Sequence, residues 1–141
     1  MKIMFVCRHN MFRSRLSEAY FNKINKNPEI IACSRGLVEG WTPLIKEQRE
    51  EALKLGIDLY GNPKTMSIRE IQDQDIIIVT ADDFPMDALK HEVYGMEKKK
   101  VIQWRIKDDV DTGSGQNKDN IKNTIQKLMK EIEKLVKELE N

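Results

Sequence analysis

Lys2-Ile3-Met4-Phe5-Val6 runs directly into Cys7-Arg8-His9-Asn10-Met11-Phe12-Arg13-Ser14 at the start of the chain. The first five residues read as a strand, and its continuous apolar run suits burial on both faces, as in a parallel sheet. From Ser14 to Asn25, Leu16, Tyr20 and Ile24 recur at i, i+4 and i+8, which predicts a helix. A cysteine ending a strand, with an arginine six residues later and a helix beyond, can form a cradle for an anion. Loop N–H groups point inward and join the unsatisfied donors of the helix N-terminus. No proline interrupts Arg8 to Ser14, so every amide there can donate. Arg13 adds a planar fork matched to two phosphate oxygens. The same positive environment favours a thiolate on Cys7, and Ser14 is placed to hydrogen-bond it. A lone cysteine ending a buried strand is more often an inert core residue. Its position between a strand and a helix is what raises the functional reading.

Three further runs read as strands: Ile30–Cys33, Asp75–Thr80 and Val101–Trp104. A helix is expected over Leu44–Leu55, patterned by Ile45, Arg49, Ala52 and Leu53, with Gly56 as its stop. A short helix is expected to begin at Asp82 or Asp83 as its cap, with Pro85 in the first turn. Ile121, Ile125, Leu128, Ile132, Leu135 and Leu139 step by 4, 3, 4, 3, 4, one apolar stripe on a long final helix. Asp108–Asn120, rich in Asp, Gly, Ser and Asn, reads as the linker before it. The alternation predicts an α/β fold with a four-stranded, mainly parallel, doubly wound sheet. Helices should cover both faces, with a phosphate-binding loop after strand one. Ligands of such sheets bind beyond the carboxyl ends of the strands.

A length of 141 residues fits a single domain over 1–141. Lys and Arg number 24 against 23 Asp and Glu, a net charge of +1, so bulk attraction to nucleic acid is not expected. No apolar run approaches a membrane span, and the amino terminus lacks the features of a signal peptide. Two cysteines do not make a disulfide framework, so a reduced, cytoplasmic protein is expected. The final stripe fits packing on the sheet better than a coiled-coil dimer, so a monomer is expected. No metal site is expected: two cysteines lack further ligands, and His91 has no partner at useful spacing. Asp109, Asp111 and Gly113 hint at a calcium loop, but Ser114 and Asn120 stand where Gly and Glu are required. Lys98-Lys99-Lys100 reads as a solvated turn before strand four.

Val6-Cys7 through Arg13-Ser14, followed by Leu16-Ser17-Glu18-Ala19, resembles the phosphate-binding loop of low-molecular-weight protein-tyrosine phosphatases. Cys33-Ser34-Arg35-Gly36 resembles that family's Ser-Ala-Gly element, whose serine supports the loop asparagine, here Asn10. Trp104-Arg105-Ile106-Lys107-Asp108 resembles its Trp-x-x-x-Asp-Pro segment, whose aspartate is the general acid. The resemblance implies two-step hydrolysis of an aryl phosphomonoester, phosphotyrosine in proteins foremost. Cys7 would be the nucleophile, Arg13 the charge stabiliser and Asp108 the general acid and base. Arg8, His9, Asn10, Met11, Phe12, Arg13 and Ser14 would bind phosphate, with Asn10 and Ser34 supporting the loop. It implies no metal or other cofactor, because Arg13 and the amides supply the positive charge. The partners implied are a phosphorylated protein or small aryl phosphate, with inorganic phosphate as product, and neither nucleic acid nor membrane.

The sequence departs from the family pattern at several positions. His9 stands where glycine is usual and is expected to adopt the loop's backbone angles at greater cost, or else to add a titratable charge near the thiolate. Phe12 stands where many members carry a second cysteine, so the usual protective disulfide within the loop cannot form. Asp109 replaces the proline, and Val110 and Asp111 replace the tyrosine pair that flanks an aromatic substrate. Trp41 reads either as a substitute aromatic wall or as cover for the core. Met11 resembles the bulky aliphatic residue that accompanies phosphotyrosine rather than the threonine that accompanies phosphoarginine. A non-catalytic phosphate-binding module is the alternative of a different class. Thioredoxin-coupled arsenate reductase, which shares the fold and loop, needs two cysteines downstream, and this chain has Cys33 alone.

Overall fold

Alternation along β1 (Lys2–Cys7) sends Ile3 and Phe5 to one face of the sheet and Met4 and Val6 to the other. All four are completely buried, so both faces are core and no polar alternation is needed. β3 (Ile76–Val79) repeats the pattern, with Ile76 and Ile78 opposite Ile77 and Val79. The computed structural model describes residues 1–40, 46–59, 61–90, 100–107 and 118–140. Its sheet has the order β2-β1-β3-β4, where β2 is Ile31–Gly36 and β4 is Lys100–Gln103. Every pairing is parallel. The apolar strands β1 and β3 lie at the centre, and the more polar β2 and β4 form the edges.

α1 (Arg13–Ile24) and α5 (Lys118–Leu139) cover one face. Phe21, Ile132 and Leu135 pack there with Ile3, Phe5 and Ile78. The Phe5 ring lies 6.0 Å from that of Phe21 and 5.9 Å from that of Trp104. Full burial of such a side chain is worth about 1.5–3 kcal/mol. Further along α5, Ile121, Ile125 and Leu128 meet Leu16 and Ala52, the latter on α2 (Lys46–Leu53). The final stripe is thus buried inside its own fold. On the opposite face Ile71 of α3 (Ile68–Gln72) and Leu89 of α4 (Asp87–Lys90) pack on Met4, Val6, Ile77 and Val79.

Several boundaries differ from expectation. β2 runs to Gly36 because its pairing with β1 continues to Cys7↔Gly36, a length hidden in the sequence by polar Ser34 and Arg35. α4 begins at Asp87, not at Asp82 or Asp83, whose carboxylates turn instead to Arg13. The Gly56 stop is present: its φ is +75°, and Ile57 N–H closes on the Ala52 carbonyl. Asp108–Asn120 gives up its last three residues to α5, and its first ten lie outside the described residues, as do Trp41, His91, Lys98 and Lys99. Lys100 opens β4 rather than a turn.

α3 was not anticipated, although Ser67-Ile68-Arg69-Glu70 carries a capping box: Ser67 Oγ accepts from Glu70 N–H, and Glu70 accepts from Ser67 N–H. Arg35 donates to the Glu70 carboxylate from Nε at 2.8 Å and holds that carboxyl below its ordinary range. A carboxyl depressed on folding stabilises the fold above its unfolded pKa, and that contribution is lost as pH falls through the lower folded value. Glu70→Gln is therefore expected to cost about 1 kcal/mol at neutral pH. Thermal midpoints should show that difference shrinking as pH falls through the acidic range, until variant and parent coincide.

Candidate active site

The strand order reverses at β1, so the loop after β1 opens at the switch point where such sheets place ligands. Several carbonyls of the loop are bonded from outside it. Leu37 N–H donates to the carbonyls of Cys7 (3.1 Å) and Arg8 (3.0 Å), and Val38 N–H donates to Arg8 (3.0 Å). Arg15, buried on α1, makes long 3.4 Å bonds to the carbonyls of Met11 and Gly61. With the carbonyls held outward, the loop can turn its N–H groups to the concave side. Phe12 occupies the N-cap of α1 and supplies no side-chain cap, so the first-turn N–H groups stay available to an anion.

Cys7 is buried with its Sγ 3.0 Å from Ser14 Oγ. Asn10 Nδ2 donates to the same Oγ at 2.7 Å, which leaves the serine hydrogen to point at the sulfur. Ser14 can therefore stabilise negative charge on Cys7. Asn10 has φ +54°, the left-handed region that asparagine tolerates better than most residues. Two further bonds hold it there: Nδ2 to Ser34 Oγ at 3.1 Å, and Lys64 N–H to Oδ1 at 2.8 Å. Ser34 Oγ in turn reaches the Glu18 carboxylate at 3.4 Å, and burial pushes the Glu18 carboxyl up.

A Cβ on Gly36 would stand 2.8 Å from both Asn10 N and His9 C. Those are backbone atoms of the loop and cannot step aside without reshaping it. Gly36→Ala is expected to cost about 1–3 kcal/mol of stability, and about 10² in turnover for a displacement approaching 1 Å. Thermal melts and vanadate titration of the variant would check both.

Arg13 lies nearly buried at the start of α1. One terminal nitrogen donates to the Ile106 carbonyl at 2.9 Å and sits 3.7 Å from the Asp82 carboxylate. The other donates to Asp83 at 3.0 Å. Asp82 N–H also donates to the Ile106 carbonyl (3.1 Å), so the segments after β3 and β4 close around this guanidinium. The helix-cap reading of Asp82 and Asp83 concealed this arrangement, because an aspartate after a strand most often caps. The Glu18 support was also missed, although Glu18 lies inside the matched Leu16-Ser17-Glu18-Ala19 run.

Asn10, not His9, carries the left-handed backbone, so histidine in place of glycine does not incur the expected cost. The His9 ring is half-buried with Nδ1 3.2 Å from the Glu39 carbonyl. Phe12 turns into the core with Leu16, Ile106 and Leu128, so only its backbone can face an anion. Met11 is half-buried and Arg8 exposed. Cys33 pairs with Met4, three residues from the Cys7↔Gly36 pair and so about 10 Å along the strand. That separation rules out a Cys7–Cys33 disulfide without rebuilding the sheet. Asp108 lies outside the described residues; the described stretch before it closes at Lys107, one residue beyond Ile106, whose carbonyl Arg13 holds. Among the described residues no cluster of three His, Cys, Asp or Glu could hold a metal ion, and no helix is long and apolar enough to cross a membrane.

A cysteine–arginine loop at the switch point of a 2-1-3-4 parallel sheet, braced by an asparagine and two serines, gives an α/β protein a cradle shaped for an oxyanion. The chain belongs to the low molecular weight phosphotyrosine protein phosphatase family, whose model matches residues 2–141. Its fold is similar to that of a low molecular weight protein tyrosine phosphatase from T. tengcongensis, with TM-score 0.81 and 23% identity over 98% of this chain and 99% of that one. A drosophila arginine phosphatase gives 0.76 and 15% identity over 100% and 99%. An arsenate reductase from Archaeoglobus fulgidus DSM 4304 gives 0.68 and 22% identity over 95% and 98%. At these identities the structural likeness shows the fold alone. No curated protein matches the sequence.

Proposed function

We propose that the protein hydrolyses aryl phosphomonoesters, phosphotyrosine in proteins foremost, through a phosphocysteine intermediate. The observation that carries this reading is the chain of contacts from Asn10 through Ser14 to Cys7, which presents a buried sulfur at the base of an anion cradle. In the first step Cys7 attacks phosphorus in line, the S–P bond forms and the bond to the phenolate oxygen breaks. Loop amides and Arg13 stabilise the charge on the equatorial oxygens. Asp108 gives its proton to the leaving oxygen, then takes one from the water that releases phosphate and returns Cys7 as thiolate. Support for Asp108 comes from its sequence position, four residues after Trp104 as in the family pattern.

Met11 at the loop's centre favours aryl phosphate over phosphoarginine, by its likeness to the bulky aliphatic residue of the phosphotyrosine case. Arsenate reduction is disfavoured by the position of Cys33, the second of two cysteines, beyond reach of Cys7. A binding module without turnover has no use for the sulfur that Ser14 and Asn10 orient. The test is turnover of p-nitrophenyl phosphate by the purified protein, with release of phosphate measured directly. Phosphate release that tracks p-nitrophenolate supports hydrolysis. Tight vanadate binding without turnover would establish the binding module instead.

A further inference from the structure

The rim of this site is electrically lopsided. On the β3 side the partly exposed carboxylates of Asp82 and Asp83 flank Arg13. On the β2 side stands Arg8, next in sequence to Cys7 and about 3.8 Å from it between Cα atoms. Two amides of the segment after β2 fix the Arg8 carbonyl, so the root of its side chain is held at the mouth of the loop. That side chain is exposed, and among the described residues it meets no carboxylate and makes no hydrogen bond. Arg13, Arg15 and Arg35 are committed by contrast to Asp83 and Ile106, to loop carbonyls and to Glu70. The phosphoryl oxygens are already served by buried Arg13 and the loop amides, so an exposed guanidinium at the rim reads what lies outside the cradle.

We propose that Arg8 determines specificity by pairing with an acidic side chain that flanks the phosphorylated residue of the substrate. The carboxylate would lie on the β2 side of the mouth, away from Asp82 and Asp83, which repel it. This rests on the phosphatase reading above and names its substrate class: phosphotyrosyl segments with an adjacent Asp or Glu. The net charge of +1 supplies no bulk field that would produce the same preference.

The experiment compares kcat/KM for two phosphotyrosyl peptides identical except for Glu or Lys beside the phosphotyrosine. The parent should prefer the Glu peptide about two- to fivefold at low salt, the worth of one exposed ion pair. The preference should fall towards unity near 1 M salt, where the Debye length is about 3 Å. Arg8→Gln should bring the ratio to one, and Arg8→Glu should invert it. Each ratio is internal to one variant, so any damage to the loop cancels, and the parent's salt dependence needs no variant at all. Equal use of both peptides, a salt-insensitive preference, or a preference retained in Arg8→Gln would overturn the proposal. If both peptides and p-nitrophenyl phosphate are inert, the phosphatase reading itself fails and this one falls with it.

Discussion

Cys7→Ser is expected to reduce turnover of p-nitrophenyl phosphate below a few per cent of the parent while leaving vanadate binding measurable. The two halves of that result come from different parts of the site. In the proposed site, binding rests on the amides after β1, the uncapped start of α1 and the Arg13 guanidinium, none of which the substitution touches. Asn10 still donates to Ser14 and Ser34, so the loop keeps its shape. Bond formation to phosphorus depends on the sulfur. A serine hydroxyl in the same place stays protonated at neutral pH and is a poor nucleophile towards phosphorus. Stopped turnover with retained binding is therefore the signature of a nucleophile. Joint loss of both would mark Cys7 as a packing residue, and retained turnover would remove it from the chemistry.

Asp108→Asn is expected to slow hydrolysis of an ester with a poor leaving group by about 10²–10⁴, the usual worth of general-acid assistance. A good leaving group such as p-nitrophenolate needs less help and should slow less. The basic limb of the pH–rate profile should flatten in the variant, because the group that must be protonated has been removed. Four other aspartates provide controls. Asp82 and Asp83 lie against Arg13, so their asparagine variants should weaken good and poor leaving groups alike. Asp109 and Asp111 test the register of the match to Trp104. If either shows the leaving-group dependence and Asp108 does not, the acid belongs to that residue.

The sheet was legible because its central strands are buried on both faces, which leaves an unbroken apolar run at Ile3–Val6 and Ile76–Val79. Edge strands carry a weaker signal. Ser34 and Arg35 are polar because they serve the loop and Glu70, and they hid the second half of β2. The candidate nucleophile, Arg13, Ser14 and the Ser34–Asn10 contact lie close in sequence or within a known motif, and the sequence pointed to all of them. Contacts closed across the sheet were not legible. Nothing local says that Asp83 will meet an arginine 70 residues earlier, nor that the Ile106 carbonyl will close the same guanidinium from a third loop. The backbone angle of His9 failed for a related reason: the left-handed residue in the loop is the one whose side chain has three partners to hold it.

Asn10 ties α1, β2 and the backbone of Lys64 into one knot, and these are distant parts of the chain. A partly folded form that lacks β2 or the Lys64 segment loses these contacts, so an oxyanion held by the loop would bind the completed fold in preference to it. Thermodynamic linkage then makes that oxyanion a stabiliser of the whole protein. At a free concentration 100 times its dissociation constant it adds about 2.7 kcal/mol. Inorganic phosphate, released by the proposed reaction, would slow catalysis by occupying the site and protect the fold by the same act of binding.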